Sequence, residues 1–179
     1  MAKPYYTVET LEAGNSIGYL VKRCGMLMTQ IAERRFESTS VSFIQWMALM
    51  RLGAHAAHMS ATQLSKELGY DMGALTRVVD ELERRGLVRR ERSRTDRRAV
   101  EIAVTPAGRR QAESAKRVIV ELLNELVEPY TDAEIATLIA LLQRMHVRLQ
   151  EKAAAGPVAA SAGSHSAPPR SKSKSGAAA

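Results

Sequence analysis

The chain has 179 residues, a formal net charge of +7 and a pI near 9.9, so its partners are expected to be polyanions. A single cysteine, Cys24, excludes an intrachain disulfide and fits a reducing, cytoplasmic setting. Residues 1–14 carry no basic region followed by an apolar run, and no stretch reaches the ~18 apolar residues of a membrane span, so neither a signal peptide nor a membrane partner is expected. Aromatic residues make up only 4%, which favours a groove binder over a protein that stacks single-stranded bases on rings.

In chain order, Ile17, Leu20, Val21, Cys24, Leu27, Met28 and Ile31 recur at helical spacing, behind a cap at Asn15 or Ser16. Phe43, Trp46, Met47 and Met50 mark a second helix that stops near Gly53. Ser60-Ala61-Thr62-Gln63 is a capping box opening a short helix through Leu64 and Leu68, closed by Gly69. Asp71 caps the next helix, which carries Leu75, Val79 and Leu82 on one face and stops at Gly86. The period then changes. Residues 87–90 and 100–104 read as strands around a polar loop at 92–98. Thr105-Pro106 starts a long helix with Val118, Ile119, Leu122, Leu123, Leu126 and Val127, ending before Pro129. Thr131 to Glu134 is another capping box, opening a last helix with Ile135, Leu138, Ile139, Leu142, Met145 and Leu149. From Ala153 the composition is Ala, Gly, Ser, Pro and Lys, with Val158 its only large aliphatic residue. It reads as a disordered basic tail, either solubilising or an auxiliary DNA-contacting arm.

The expected fold class is mainly α with a small β-hairpin wing: a winged helix-turn-helix plus a helical dimerisation domain. Residues 39–105 form the DNA-binding domain, 1–38 and 106–152 the dimerisation region, and 153–179 the tail. Two short capped helices joined at Gly69-Tyr70 and followed by a basic hairpin suit duplex DNA. With Leu75, Val79 and Leu82 turned inward, Met72, Gly73, Ala74, Thr76 and Arg77 lie at the exposed start of the recognition helix. Small residues there let the backbone approach base edges, Arg77 reaches a guanine edge or a phosphate, and Thr76 a phosphate or a thymine methyl. Arg89, Arg90, Arg92, Arg94, Arg97 and Arg98 crowd the hairpin against only Glu91 and Asp96, a density that phosphates would neutralise. Asp96 can pair with Arg94 or Arg98 and aim a guanidinium outward.

The run from Asp71 to Val88 and the run Asp96-Arg97-Arg98 through Thr105-Pro106-Ala107-Gly108 resemble the recognition helix and wing of the MarR family. In element order the resemblance covers Ser16 to Leu149, and the tail lies outside it. It implies a homodimer whose N- and C-terminal helices interdigitate. Two recognition helices would then lie about 34 Å apart on a pseudo-palindromic duplex. It implies that Arg98, positioned by Asp96, enters the minor groove. The long apolar stripes of the first and last helices independently call for a partner surface.

The resemblance also implies a regulator, most often a repressor, released by a small aromatic carboxylate, a phenol or an oxidant, with a pocket between the dimer helices and the DNA module. Tyr19, Arg23, Trp46, Met50, His55 and His58 are the candidates. Trp46 and Met50, one turn apart, suit either a ring stack or plain core, and His55, His58 or Arg23 would meet a carboxylate. His55 and His58 lack a nearby cysteine or clear carboxylate, so no metal or other cofactor is expected. Cys24 lies between Leu20 and Met28, where apolar burial would leave its thiol inert. An oxidant-sensing regulator and an architectural DNA-binding protein of little sequence specificity remain as alternatives. No phosphate-binding glycine loop or nucleophile motif points to an enzyme.

Overall fold

The computed structural model describes residues 4–54, 58–93 and 100–155. A 3-10 turn at Ala13–Asn15 precedes the α-helices, which are α1 (Ile17–Phe36), α2 (Phe43–Ala54), α3 (Ala61–Leu68), α4 (Met72–Arg84), α5 (Pro106–Val127) and α6 (Asp132–Ala154). Between α4 and α5 stand β1 (Val88–Arg92) and β2 (Val100–Val104). The fold is mainly α with a two-stranded antiparallel wing, as the sequence predicts. The described residues divide into two compact units, the first ending at Pro129 and the second starting at Tyr130.

The expected caps form. Ser60 Oγ accepts from the Gln63 amide at 3.2 Å while Gln63 accepts from the Ser60 amide at 2.8 Å. Asp71 Oδ1 accepts from Gly73 and Ala74 at 2.8 and 3.2 Å. Gly69 ends α3 at φ +69° and Gly86 follows α4 at φ +68°, left-handed conformations that a Cβ penalises.

The strand pair starts one residue later and runs two residues further than the sequence suggests. The Leu87 amide closes the end of α4 by donating to Leu82 O at 2.9 Å, so it is not available to the ladder. Beyond Arg90, Glu91 and Arg92 stay in register with Glu101 and Val100. A further bridge was not foreseen: Met59, just before α3, exchanges main-chain bonds with Ile102 at 2.7 and 3.3 Å. It ties the entry to α3 onto the inner strand of the wing.

The core of the first unit gathers Leu49 and Leu52 from α2, Leu64 from α3, and Leu75, Val79 and Leu82 from α4. Val88, Ile102 and Val104 from the wing and Ala112 and Ala115 from α5 complete it. At about 25 cal/mol per Å² this burial is the main favourable term holding these helices and the wing together.

The amino-terminal two-thirds of α1 lies outside this core. Only Ala32 and Phe36 of α1 are buried, and Leu20, Leu27 and Met28 are exposed. Cys24 is therefore exposed, not buried as the sequence pattern suggests, because its apolar neighbours are themselves exposed among the described residues. In the second unit α6 is capped by the Thr131–Glu134 box, with the Glu134 amide donating to Thr131 Oγ1 at 3.3 Å. None of its residues is buried. The helix runs to Ala154, so the first two residues assigned to the tail continue it, and residues 156–179 lie outside the described residues.

The start of α5 is locked onto the α4–β1 junction. Thr105 caps α5 by accepting from the Gly108 amide at 3.0 Å, and its hydroxyl lies 2.8 Å from Gly86 O and 3.1 Å from Leu87 O. The Thr105 amide donates to the same Leu87 carbonyl at 3.0 Å. A Cβ on Gly108 would collide with that carbonyl and stand 2.8 Å from Val104 Cγ2. Since the obstacle is backbone, Gly108→Ala is expected to destabilise the fold by about 2–3 kcal/mol, against a few tenths for Gly14→Ala, where nothing lies within 4 Å. Urea denaturation followed by Trp46 fluorescence measures both.

Candidate nucleic-acid interface

The turn between α3 and α4 fixes how α4 is presented. Ser65, buried in α3, donates through Oγ to Tyr70 O at 2.7 Å, which holds the turn against α3. Leu75, Val79 and Leu82 then point into the core with no exposure. This leaves Met72, Gly73, Ala74, Thr76 and Arg77 exposed on one surface of the first turns, as the apolar spacing predicts. Among the described residues Arg77 has no carboxylate partner, so its charge is available to a ligand. The Thr76 hydroxyl donates to Met72 O at 2.8 Å. With its proton spent on the helix, Thr76 offers an outer ligand its methyl more readily than a bond to a phosphate.

The arginines of the hairpin do not act as one unneutralised set. Arg90 reaches back to α4, where Nη2 meets Asp80 at 2.5 Å and Nη1 meets Glu83 at 2.5 Å. Its amide also donates to Glu83 at 2.9 Å. The Asp80 hydrogen bond first, and then Glu83, pushes the Arg90 pKa further up against its partial desolvation. Arg89 pairs with Glu91. The compensating carboxylates for Arg90 thus come from α4, which the sequence reading left out. The available signal was Asp80 and Glu83, three apart and therefore on one helix face. Arg94, Asp96, Arg97 and Arg98 lie outside the described residues.

The candidate effector residues do not converge within one chain. Trp46 is half-buried, stacks on Phe43 with centroids 6.0 Å apart and meets Phe36 at 5.5 Å. Its indole N–H donates to Ala112 O at 3.0 Å, which fastens α2 to α5. Met50 packs against the same core. Tyr19 is exposed near the opposite end of α1 from Phe36. Seventeen residues at 1.5 Å rise place it roughly 25 Å along the axis, and Arg23 roughly 20 Å. His58 faces the wing, its Nδ1 at 3.4 Å from Glu91 and 3.5 Å from Glu101. Those carboxylates, distant in sequence, were not foreseen as its neighbours. Even so, among the described residues no group of His, Cys, Asp or Glu is arranged to hold a metal. His55 lies outside the described residues.

The Arg90 clamp ties the first wing strand to α4. A double-mutant cycle of Arg90→Gln and Glu83→Gln is expected to give a coupling of about 0.5–1 kcal/mol, kept in the surface-pair range by partial exposure of both groups. Equilibrium unfolding of the four proteins measures it, and additive effects would remove the clamp from the account.

A model described as MarR family matches residues 39–99, the span from the α1–α2 connection to the residue before β2. An HTH-type transcriptional regulator of Bacillus subtilis (strain 168), YdgJ, is 31% identical over 111 residues, 62% of this chain and 68% of the relative. Among crystal structures, apo wild-type MarR from E. coli is 27% identical with a TM-score of 0.64, over 73% of this chain and 96% of the other. CouR from Rhodococcus jostii RHA1, solved bound to p-coumaroyl-CoA, is 26% identical with a TM-score of 0.63, over 76% of this chain and 95% of CouR. With this sequence match, this fold and this presentation of α4 and the wing, the chain belongs to the MarR family of winged helix-turn-helix transcriptional regulators.

Proposed function

We propose that the protein is a repressor that binds a pseudo-palindromic duplex as a homodimer and is released by a small aromatic carboxylate or phenol. The observation that carries the DNA reading is the exposed first turns of α4, with Arg77 unpaired among the described residues beside an arginine-rich hairpin. On this reading Met72, Gly73, Ala74 and the Thr76 methyl approach base edges, Arg77 takes a guanine edge or a phosphate, and Arg94, Arg97 and Arg98, with Asp96 orienting, enter the neighbouring minor groove.

Support for the dimer comes from the apolar side chains left uncovered. Ile17, Leu20, Leu27 and Met28 of α1 are exposed, as are Leu138, Ile139, Leu142 and Leu149 of α6. Patches of this kind mark association surfaces. Residues 1–38 and 106–152 would supply the interface and 39–105 the DNA contacts. Since Tyr19 and Arg23 lie far along α1 from Trp46, a pocket using all three takes them from different subunits. The aromatic-ligand reading draws on CouR, whose structure holds p-coumaroyl-CoA.

A second reading has one observation in its favour: Cys24 is exposed in the chain, as a thiol that meets oxidant must be. No described helix is long and apolar enough to cross a membrane.

Three measurements test these statements. A duplex enriched from a randomised pool should bind far more tightly than random DNA, and Arg98→Ala should weaken it by about 1–3 kcal/mol with a shallower salt slope. Equal affinity for every sequence would instead identify an architectural protein. By analytical ultracentrifugation, deleting residues 156–179 should leave a dimer, while deleting 132–179 should give an aggregated or unfolded chain. A well-behaved monomer from the longer deletion would contradict the interface. Trp46 is the sole tryptophan. An aromatic acid that releases DNA should perturb its fluorescence over the same concentration range, and DNA should weaken the acid's binding by the same factor. If peroxide releases wild-type protein but not Cys24→Ser, while aromatic acids do nothing, the thiol reading replaces this one.

A further inference from the structure

His58 occupies a position that the family assignment does not explain. It precedes Met59, whose main chain pairs with Ile102, and this bridge sets the imidazole against the wing. Nδ1 stands 3.4 Å from Oε2 of Glu91 and 3.5 Å from Oε2 of Glu101. The two carboxylates are direct partners in the β1–β2 register. Like charges placed opposite one another on a strand pair repel. The three side chains are only 29%, 32% and 23% exposed, so water screens that repulsion incompletely.

The charges around the ring can be named element by element. β1 contributes Glu91, which also pairs with Arg89. β2 contributes Glu101, whose one cationic neighbour within ion-pairing distance, among the described residues, is His58. α2, α3 and α5 also pack on β2, and α4 on β1, but among the described residues none of them brings a charged group within ion-pairing distance of the ring. A protonated imidazole therefore sits between two carboxylates as the bridging cation. A neutral one leaves Glu101 facing Glu91 one pair short of the end of the ladder that leads into the arginine-rich loop.

We propose that His58 is a positioning residue for the wing and that its protonation strengthens duplex DNA binding. Histidine is the side chain that changes charge near neutrality. Protonation draws the two strands together at Glu91 and Glu101 and offsets negative charge that would otherwise oppose the phosphates. Phosphates laid against the wing favour the added proton in turn. Binding then takes up a proton, so affinity rises as pH falls. The inference rests on the proposed use of the wing in DNA binding.

The test uses the full chain with His55, His146 and His165 replaced by Gln, which leaves His58 the sole histidine of the four. Its affinity for the enriched duplex, by fluorescence anisotropy at constant ionic strength, is expected to rise about fivefold from about pH 8 to about pH 6. Adding His58→Gln should flatten the profile, and adding Glu101→Gln to the sole-histidine chain should reduce its slope. Wild-type protein provides a second measurement that needs no variant. Calorimetric titration of the duplex near neutral pH, in two buffers of different ionisation enthalpy, should show proton uptake on binding. An equal slope with and without His58, or no proton uptake by the wild type, overturns the proposal while DNA binding stands. Absence of sequence-preferring binding at every pH sinks the parent reading and this one with it.

Discussion

The close approach of α5 to the α4–β1 junction is the constraint on which the rest of the first unit depends. Three groups converge on the Leu87 carbonyl: the Thr105 amide, the Thr105 hydroxyl and the bare Cα of Gly108. The contact joins the end of the recognition helix, the first wing strand and the first turn of the long helix at one point. A displacement of α5 there would move α4 and the wing together. The run Thr105-Pro106-Ala107-Gly108 is thus explained by geometry: a cap, a residue that needs no amide partner, and a position where only hydrogen fits.

Charge is organised around that joint in two layers. The inner layer is self-compensated: Arg90 is held by Asp80 and Glu83, Arg89 by Glu91, and Arg84 by Glu81. The Arg90 pairs tie the wing to α4, the other two stay within one element, and all contribute little net charge to a distant polyanion. The outer layer, to which Arg77 belongs, is what a phosphate backbone would meet. Basic composition alone cannot separate the two layers, because an arginine's role depends on whether a carboxylate from another element reaches it.

Apolar surface is distributed unevenly in the same way. Residues 39–122 hold nearly all of the core, with Ala32 and Phe36 the only contributions of α1. α6 keeps its leucines exposed. An apolar stripe left uncovered among the described residues costs solvation free energy that a covering surface would recover. The exposure of Cys24 has the same cause, so its environment would change with whatever covers α1.

The sequence by itself determined which elements form and where the capped helix ends fall. Capping boxes at Ser60 and Thr131, the Asp71 cap, and Gly69 and Gly86 after their helices act over three or four residues, and each formed as local chemistry requires. The outward surface of α4 was legible for a related reason: three buried residues on one face of α4 leave Met72, Gly73, Ala74, Thr76 and Arg77 outward. What acts across long sequence separations was decided only by the tertiary structure. Trp46 reaches Ala112, Arg90 reaches Asp80 and Glu83, Met59 bridges to Ile102, and His58 comes to rest between Glu91 and Glu101. Periodicity reports which face of a helix is apolar, but not which face finds a partner within the chain, and so it placed Cys24 in an interior that one chain does not build. Charge pairing and burial depend on distances in space, and packing of the Leu49, Leu75 and Ile102 core sets those distances.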